Sequence, residues 1–259
     1  MGSPSHTGGP TQDPRPGDRV ALITGGARGI GRAIGLDLAR AGWSVAFCYR
    51  TSAEAAAETR AALEAAGVRA LAVRADVSDP AVAEGLVREV EGTWGRVDAL
   101  VNCAGPYHRV ELLQETPAGW RDMFENNLHP VFYLSRAAAP GMIARKWGRI
   151  LAFGMATADQ LTAQPNVTAH YIAKAGILVL VRSLARVLAP HGVTVNAISP
   201  GFIDSGSAPK AELEAMRARI PAGYVGGVED AVAAARFLLS EEARYVTGTN
   251  IHLSGGWGI

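Results

Sequence analysis

The stretch that decides the fold of this chain is Val20-Ala-Leu-Ile-Thr-Gly-Gly-Ala-Arg-Gly-Ile-Gly31, in which a short apolar run leads into closely spaced glycines. The apolar run predicts a buried strand, and residues 30–41 predict a helix that stops at Gly42. Glycines let the backbone turn tightly and approach a pyrophosphate, which the free N–H groups of a helix N-terminus then bind. We therefore interpret the Gly-x-x-x-Gly-x-Gly spacing as a dinucleotide-binding turn rather than an ordinary tight turn.

Downstream of this turn, short β-branched runs alternate with longer, alanine-rich stretches. The predicted strands are 20–24, 45–49, 70–73, 97–101, 149–153, 193–198 and 250–253. The predicted helices are 30–41, 52–66, one that starts at Pro80, two within 117–146 with breaks or kinks at Pro130 and Pro140, 169–188 and 229–240. Such alternation indicates an α/β fold, a doubly wound parallel sheet of about seven strands known as a Rossmann fold. We expect a single domain over residues 19–259.

The composition suits a compact domain and excludes several classes of partner. The chain has 259 residues, of which 48% are hydrophobic and 19% charged, and its formal net charge is +1. Such a balance predicts neither a nucleic-acid nor a membrane partner, and no apolar run approaches the ~20 residues of a membrane span. Cys48 and Cys103 are predicted to be free thiols, which fits a cytoplasmic protein. Residues 1–18, with four prolines and four glycines, predict a disordered lead.

The end of the second predicted strand indicates which dinucleotide is bound. An acidic residue there would hold a ribose 2′-hydroxyl and mark NAD, but the chain continues with Tyr49 and Arg50. Arg50 and Arg28 offer guanidinium groups for a 2′-phosphate, which predicts NADPH. The alternative is that these arginines only solvate a loop. After the third strand, Asp76 and Val77 are predicted to meet the adenine, although Asp76 could equally be a turn residue.

Tyr171 and Lys174 lie three residues apart, on one face of a predicted helix. An ammonium close to a phenol favours the phenolate, so Tyr171 is a candidate proton donor and acceptor near neutral pH. Because a glycine-rich turn lies far upstream, we favour this chemical interpretation over a solvent-exposed pair without a function. His170 precedes Tyr171 and is expected to point away from it on the helix.

Five motifs in this order resemble the short-chain dehydrogenase/reductase family. They are the turn at 24–31, Asn102-Cys-Ala-Gly105, the pair Tyr171 and Lys174, Ser199-Pro-Gly201 and Leu253-Ser-Gly-Gly-Trp257. The resemblance covers residues 19–259. It implies a seven-stranded parallel sheet, a small-molecule substrate and a homotetramer or homodimer.

The resemblance also implies a role for individual residues. Tyr171 would protonate the reduced centre, Lys174 would hold the nicotinamide ribose, and Asn127 would anchor a proton-relay water. No metal site is predicted. The predicted cofactor-binding residues are Gly25, Arg28, Gly29, Ile30, Gly31, Arg50, Asp76, Val77, Asn102, Ala104, Gly105, Tyr171, Lys174, Pro200, Gly201, Ile203 and Ser205.

The chain departs from the family pattern at the end of the fifth strand. The family has a serine there that hydrogen-bonds the substrate, whereas this chain has Met155, whose thioether cannot donate a hydrogen bond. Thr157 and Asp159 are the candidate replacements. The run from Asp159 to Pro165 resembles pteridine reductases, in which an aspartate takes the place of the serine, and would suit a C=N bond. The alternative is that Asp159 caps a loop turn.

These observations predict an NADPH-dependent oxidoreductase that reduces a C=O or C=N bond of a small cyclic or aromatic-type substrate, with Tyr171 as proton donor and Asp159 as a further catalytic residue. Without the serine, the alternative is a non-redox catalyst or an NADP-binding subunit on the same scaffold. Enoyl reduction is less favoured because the Tyr171–Lys174 spacing is narrow. The expected substrate wall contains Pro106, Tyr107, His108, Met155 and Phe202, and residues 204–221 are expected to form a lid.

Overall fold

A computed structural model describes residues 19–206 and 210–258 of the chain, so the predicted lead at 1–18 lies outside the described residues. The strands are β1 (Val20–Thr24), β2 (Ser44–Tyr49), β3 (Ala70–Arg74), β4 (Ala99–Asn102), β5 (Gly148–Phe153), β6 (Val193–Pro200), β7 (Ile203–Asp204), β8 (Gly226–Gly227) and β9 (Asn250–Leu253). The helices are α1 (Gly29–Arg40), α2 (Ala53–Ala65), α3 (Pro80–Trp94), α4 (Pro117–Asn127), α5 (His129–Arg145), α6 (Thr168–Leu188), α7 (Lys210–Arg217) and α8 (Val228–Leu239).

Within the described residues the main sheet has seven parallel strands in the order β3-β2-β1-β4-β5-β6-β9. The central strands are buried on both faces, which is why they read as continuous apolar runs in the sequence. The predicted doubly wound α/β sheet of about seven strands is confirmed. β7 and β8 form a separate two-residue pair, too short to leave a periodic signal.

Two helical layers cover the sheet, and each buries one apolar stripe. On one face, α1, α2 and α8 pack through Ile34, Leu63 and Leu238. On the other face, α3, α5 and α6 pack around Leu134 and other buried residues. Because the sheet is buried between these layers, groups that could reach a ligand gather at the carboxyl edge of the strands.

The two prolines predicted to break or kink the helices of residues 117–146 lie at different places in α5. Pro130 lies at the start of α5, but Pro140 lies inside this helix and does not end it. A proline removes one backbone hydrogen bond of the helix, a local loss that packing can offset. Here the flanking Ala138, Ala139 and Met142 are buried in the core and hold the helix continuous.

The strand order reverses between β1 and β4, whose chain connections leave the sheet in opposite directions. In doubly wound folds, such a reversal opens a crevice at the carboxyl ends of the strands. Thr24, at the end of β1, pairs in register with Cys48 of β2 and Asn102 of β4, so three of the predicted motifs begin at this edge. Among the helices of the described residues, none has the length and apolar character that a membrane crossing requires.

Candidate active site

A cavity of about 440 Å³ lies at this edge, between the turn after β1 and the loop after β4. Most of the predicted cofactor-binding residues line it. These are Gly25, Arg28, Gly29, Ile30, Gly31, Arg50, Asp76, Val77, Ala104, Gly105 and Ser205. Asn126, which was not predicted to meet the cofactor, also lines the cavity, beside the predicted catalytic Asn127.

Backbone close approach explains why the turn after β1 needs glycine. A Cβ on Gly31 would lie 2.6 Å from the carbonyl oxygen of Gly25, which is closer than real Cβ atoms approach. Gly25 itself has a φ of +65°, and a Cβ at this position would lie 3.2 Å from the Cα of Ala104. The turn therefore presents bare backbone and the N-terminus of α1 to the cavity, a surface that fits a pyrophosphate.

The two arginines that were predicted to bind a 2′-phosphate both line the cavity. Arg28 and Arg50 are both exposed. Arg50 Nη1 lies 3.1 Å from Asn126 Oδ1 and 3.7 Å from Asp76 Oδ2. The other carboxylate oxygen of Asp76 accepts hydrogen bonds from the backbone N–H and hydroxyl of Ser78. Burial would raise the pKa of Asp76, but these bonds and Arg50 together lower it. Asp76 thus stabilises a turn, and its contact with adenine stays a prediction.

Lys174 and Asn127 form a buried polar pair behind Gly105. Lys174 Nζ donates to the carbonyl of Phe153 at 2.8 Å, and burial lowers the pKa of this ammonium to about 8. Asn127 Nδ2 donates to the carbonyls of Pro106 and Met123. A Cβ on Gly105 would lie 2.5 Å from Asn127 Oδ1 and 3.4 Å from Lys174 Nζ. Both groups therefore face one small space, which only a glycine at 105 leaves open.

Several buried polar atoms at this edge lack a partner in the part of the chain that the structure describes. They include Asn127 Oδ1 and both amide atoms of Asn102. A buried polar group without a hydrogen bond destabilises the fold by about 1–3 kcal/mol. Ribose hydroxyls and a carboxamide would satisfy such atoms, so the residues present fit a nicotinamide nucleoside.

The Tyr171 hydroxyl is engaged by the loop that follows β5. It donates to the carbonyl of Thr157 at 2.6 Å and accepts from the backbone N–H of Thr162 at 3.1 Å. The side chain is buried, and Thr157 has a left-handed φ of 71° in the turn that covers it. To protonate a substrate, Tyr171 would have to exchange the Thr157 carbonyl for the substrate atom. Its role as proton donor therefore stays a prediction.

The register of the tyrosine and lysine differs from the family pattern Tyr-x-x-x-Lys. Only two residues separate Tyr171 from Lys174, and the position with three intervening residues is occupied by His170. His170 is buried, and its ring meets that of Tyr107 edge-on at 5.2 Å between centroids. Burial, followed by the charge of Lys174, lowers the pKa of His170 to about 3. No role for His170 was predicted, although the three residues between His170 and Lys174 match the spacing of the family pattern.

Asp159 contacts β9 instead of the Tyr171 hydroxyl. Its Oδ2 lies 2.8 Å from His252 Nε2 and 3.3 Å from Asn250 Nδ2. Burial would raise the pKa of Asp159, but the hydrogen bonds from His252 and Asn250 together lower it. The carboxylate therefore anchors its loop, as the turn-capping alternative suggested in part. Its action on a substrate stays a prediction.

The remaining predicted residues lie at the end of β6 or after it. The backbone N–H of Gly201, after Pro200, donates to the Leu253 carbonyl, which ties this loop to β9. Ile203 lies outside the cavity at the turn after β1 and lines a smaller one with Phe202. A Cβ on Gly29 would lie 3.5 Å from the carbonyl oxygen of Ser205, so the β6 loop reaches the nucleotide cavity at Ser205.

Comparisons with known proteins agree with this geometry. A family model described as "Enoyl-(Acyl carrier protein) reductase" matches residues 25–258. The 3-oxoacyl-[acyl-carrier-protein] reductase FabG of Staphylococcus aureus strain Mu50 is 37% identical over 241 residues, 92% of this chain and 97% of that protein. FabG of Escherichia coli K12 is 36% identical over 242 residues, 92% of this chain and 96% of that protein. The chain belongs to the short-chain dehydrogenase/reductase family.

A solved structure supports the same assignment to the short-chain dehydrogenase/reductase family. A protein of Sinorhizobium meliloti 1021, provisionally described as a short-chain alcohol dehydrogenase, superposes with a TM-score of 0.86 and 34% identity, covering 92% of this chain and 96% of that one. Membership confirms the predicted oxidoreductase class and the predicted cofactor, NADPH/NADP. The local resemblance of Asp159–Pro165 to pteridine reductases stays a prediction.

Proposed function

We propose that the protein is an NADPH-dependent reductase of a C=O or C=N bond in a small cyclic or aromatic-type substrate, with Tyr171 as proton donor. The observation that carries this proposal is the buried pair of Lys174 and Asn127, which faces Gly105 beside the glycine-walled cavity. A surface tyrosine–lysine pair would have neither this burial nor the unpartnered amide oxygen. Intact polar groups of this kind also speak against the alternative of a non-redox scaffold.

In the proposed reaction, different residues bind the cofactor and move the proton. NADPH, when bound, supplies a hydride for the substrate carbon. Lys174 would hold the ribose as a donor, and the unpartnered Asn127 Oδ1 would anchor a proton-relay water. Tyr171 would pass its hydroxyl proton to the substrate oxygen or nitrogen. The Thr162 N–H, 3.1 Å from this hydroxyl, would stabilise the oxygen anion that remains.

Arginine chemistry supports NADPH over NADH. Arg28 and Arg50 line the cavity, and the end of β2 has no acidic residue to bind a ribose 2′-hydroxyl. Asp76 and Asn126 hold the Arg50 guanidinium at the cavity, where it can pair with a 2′-phosphate. Two free cysteines, Cys48 and Cys103, support a location in a reducing cytoplasm.

The substrate wall supports a compact, partly apolar substrate. Tyr107, Phe202 and Met155 supply apolar surface after β4, β6 and β5, and His108 is paired with Glu115 at 2.7 Å. The FabG relatives, named as 3-oxoacyl-[acyl-carrier-protein] reductases, favour a second candidate, a 3-oxoacyl thioester. Both candidates are NADPH-dependent reductions and share the same proton donor.

The deciding experiment is NADPH oxidation by the purified protein against a panel of compounds. The panel holds cyclic ketones, cyclic imines, a pterin, a 3-oxoacyl thioester and an enoyl thioester. We expect oxidation with a cyclic ketone or imine. Turnover of the 3-oxoacyl thioester alone would replace the substrate class but keep the reductase. NADPH binding with no oxidation by any compound would favour the non-redox alternative.

A further inference from the structure

The helix α6 directs His170 and Tyr171 into different parts of the site. With 3.6 residues per turn, the fourth residue before Lys174 returns to within about 40° of the Lys174 direction, whereas the third lies about 60° to its other side. The structure follows this geometry. His170 packs edge-on against Tyr107, while the Tyr171 hydroxyl meets Thr157 and Thr162.

The surroundings of His170 are those of a ligand-binding group more than of a packing residue. Its side chain is only 6% exposed, and Nδ1 has no hydrogen-bond partner within residues 19–206 and 210–258. The charged or polar groups around it are the Pro106 carbonyl, His108 and Lys174. Leaving a ring nitrogen buried and unpaired destabilises the fold by about 1–3 kcal/mol, unless a ligand pairs with it.

We propose that His170 is a further catalytic residue, whose imidazole hydrogen-bonds the substrate oxygen or nitrogen that receives the proton. This inference rests on the proposed function and names the group that replaces the serine hydroxyl lost at Met155. Because burial and Lys174 lower its pKa to about 3, His170 is neutral at physiological pH and carries a single N–H. This N–H donates to the substrate when it leaves the Pro106 carbonyl or when the proton lies on the unpartnered Nδ1. A neutral imidazole can polarise a carbonyl without surrendering its proton.

Substitutions test this role by kinetics, with a compound that the panel shows to be reduced. His170→Phe removes the hydrogen bond but keeps an aromatic ring, so kcat should fall by about 100-fold, as it does when one donor to a developing oxyanion is lost. His170→Gln keeps a donor and should recover to within about tenfold of the wild type. His191→Phe, at an exposed histidine just past α6, is the control and should change nothing. Equal loss in the Phe and Gln variants would overturn the proposal.

A second measurement does not depend on turnover. In protein labelled with 15N-histidine and saturated with NADP⁺, cyclohexanone and ethyl acetoacetate serve as carbonyl probes. We expect the ring nitrogen signals of His170 to shift saturably with at least one probe, while those of His191 stay fixed. No shift of His170 with either probe would overturn the inference. A shift without any NADPH oxidation would retain His170 as a carbonyl-binding residue and reject the reductase.

Discussion

At the scale of single residues, Lys174 has the most consequential environment. It is the buried ammonium of the site, and its hydrogen bond to the Phe153 carbonyl does not offset the loss of water. Burial lowers its pKa from 10.5 to about 8. The folded state therefore favours the neutral amine more than the unfolded state does. Such a strongly lowered pKa is typical of groups at functional sites.

Removing this charge should stabilise the fold near pH 7. Below the folded pKa of about 8, Lys174 is charged in both states and the full penalty applies; as pH rises towards the unfolded value of 10.5, the penalty disappears. A shift of this size corresponds to about 3 kcal/mol, and the lost hydrogen bond offsets about 1 kcal/mol. We therefore expect Lys174→Met to raise the free energy of unfolding by about 2 kcal/mol near pH 7, and less near pH 10.

Urea unfolding of wild type and variant at both pH values measures this difference. Lys146→Met, at an exposed position after α5, is the matched control and should show no pH-dependent gap. If the difference in unfolding free energy between Lys174→Met and the wild type does not change with pH, the lowered pKa of Lys174 is contradicted.

The residue scale also shows what the sequence could and could not predict. The glycine turn and its neighbours were predictable because each acts through local backbone geometry. The pairing of Asp159 with His252 was not, because 93 residues separate them and only the β9 edge brings them together. No role was predicted for His170, although counting four positions back from Lys174 places it where the family pattern has its tyrosine.

At the scale of elements, the turn between β1 and α1 should tolerate no side chain at Gly31. Gly31→Ala would place a Cβ 2.6 Å from the Gly25 carbonyl oxygen and distort the turn that is predicted to bind the pyrophosphate. We therefore expect NADPH affinity to fall at least about tenfold. Gly35→Ala is the control in the same helix, because its Cβ would meet only side chains at ordinary contact distances. Fluorescence of bound NADPH reports the affinity. Equal affinity in both variants would contradict binding of the pyrophosphate by this turn.

The loop after β5 is the element that covers Tyr171, and Asp159 fastens it to β9. If Asp159 acts only as this anchor, Asp159→Ala and His252→Phe should lower turnover by a similar factor and speed amide hydrogen exchange in residues 156–163. NADPH affinity should stay unchanged in both. A large loss of turnover in Asp159→Ala alone, with normal exchange, would show that the carboxylate acts on the substrate itself.

For most elements, the sequence predicted the boundaries to within one or two residues, because strands buried on both faces are continuous apolar runs. β7 and β8 were not predicted, because a strand of two residues is too short to show an alternation of apolar and polar side chains. Pro140 does not end α5, because helix propensity is local, whereas the core that holds the helix together comes from distant parts of the chain.

At the scale of the whole molecule, α5 and α6 leave an apolar face uncovered. Phe132, Ile172, Val179 and Val187 are each 42–66% exposed on these two helices. Such a face is typical of a subunit interface, which supports the predicted dimer or tetramer. We expect sedimentation to show an oligomer, and Val179→Asp to shift it towards monomer, with Val82→Asp on α3 as the control. A monomeric wild-type protein would contradict this prediction.

In the proposed reaction, Tyr171 protonates a substrate that NADPH reduces at this site. The most direct test is the single-turnover rate of nicotinamide oxidation in Tyr171→Phe, beside Tyr245→Phe, which changes a 98% exposed phenol. We predict that Tyr171→Phe slows oxidation by about 100-fold or more with unchanged NADPH affinity, and that Tyr245→Phe has no effect. A wild-type rate in Tyr171→Phe would show that Tyr171 is not the proton donor.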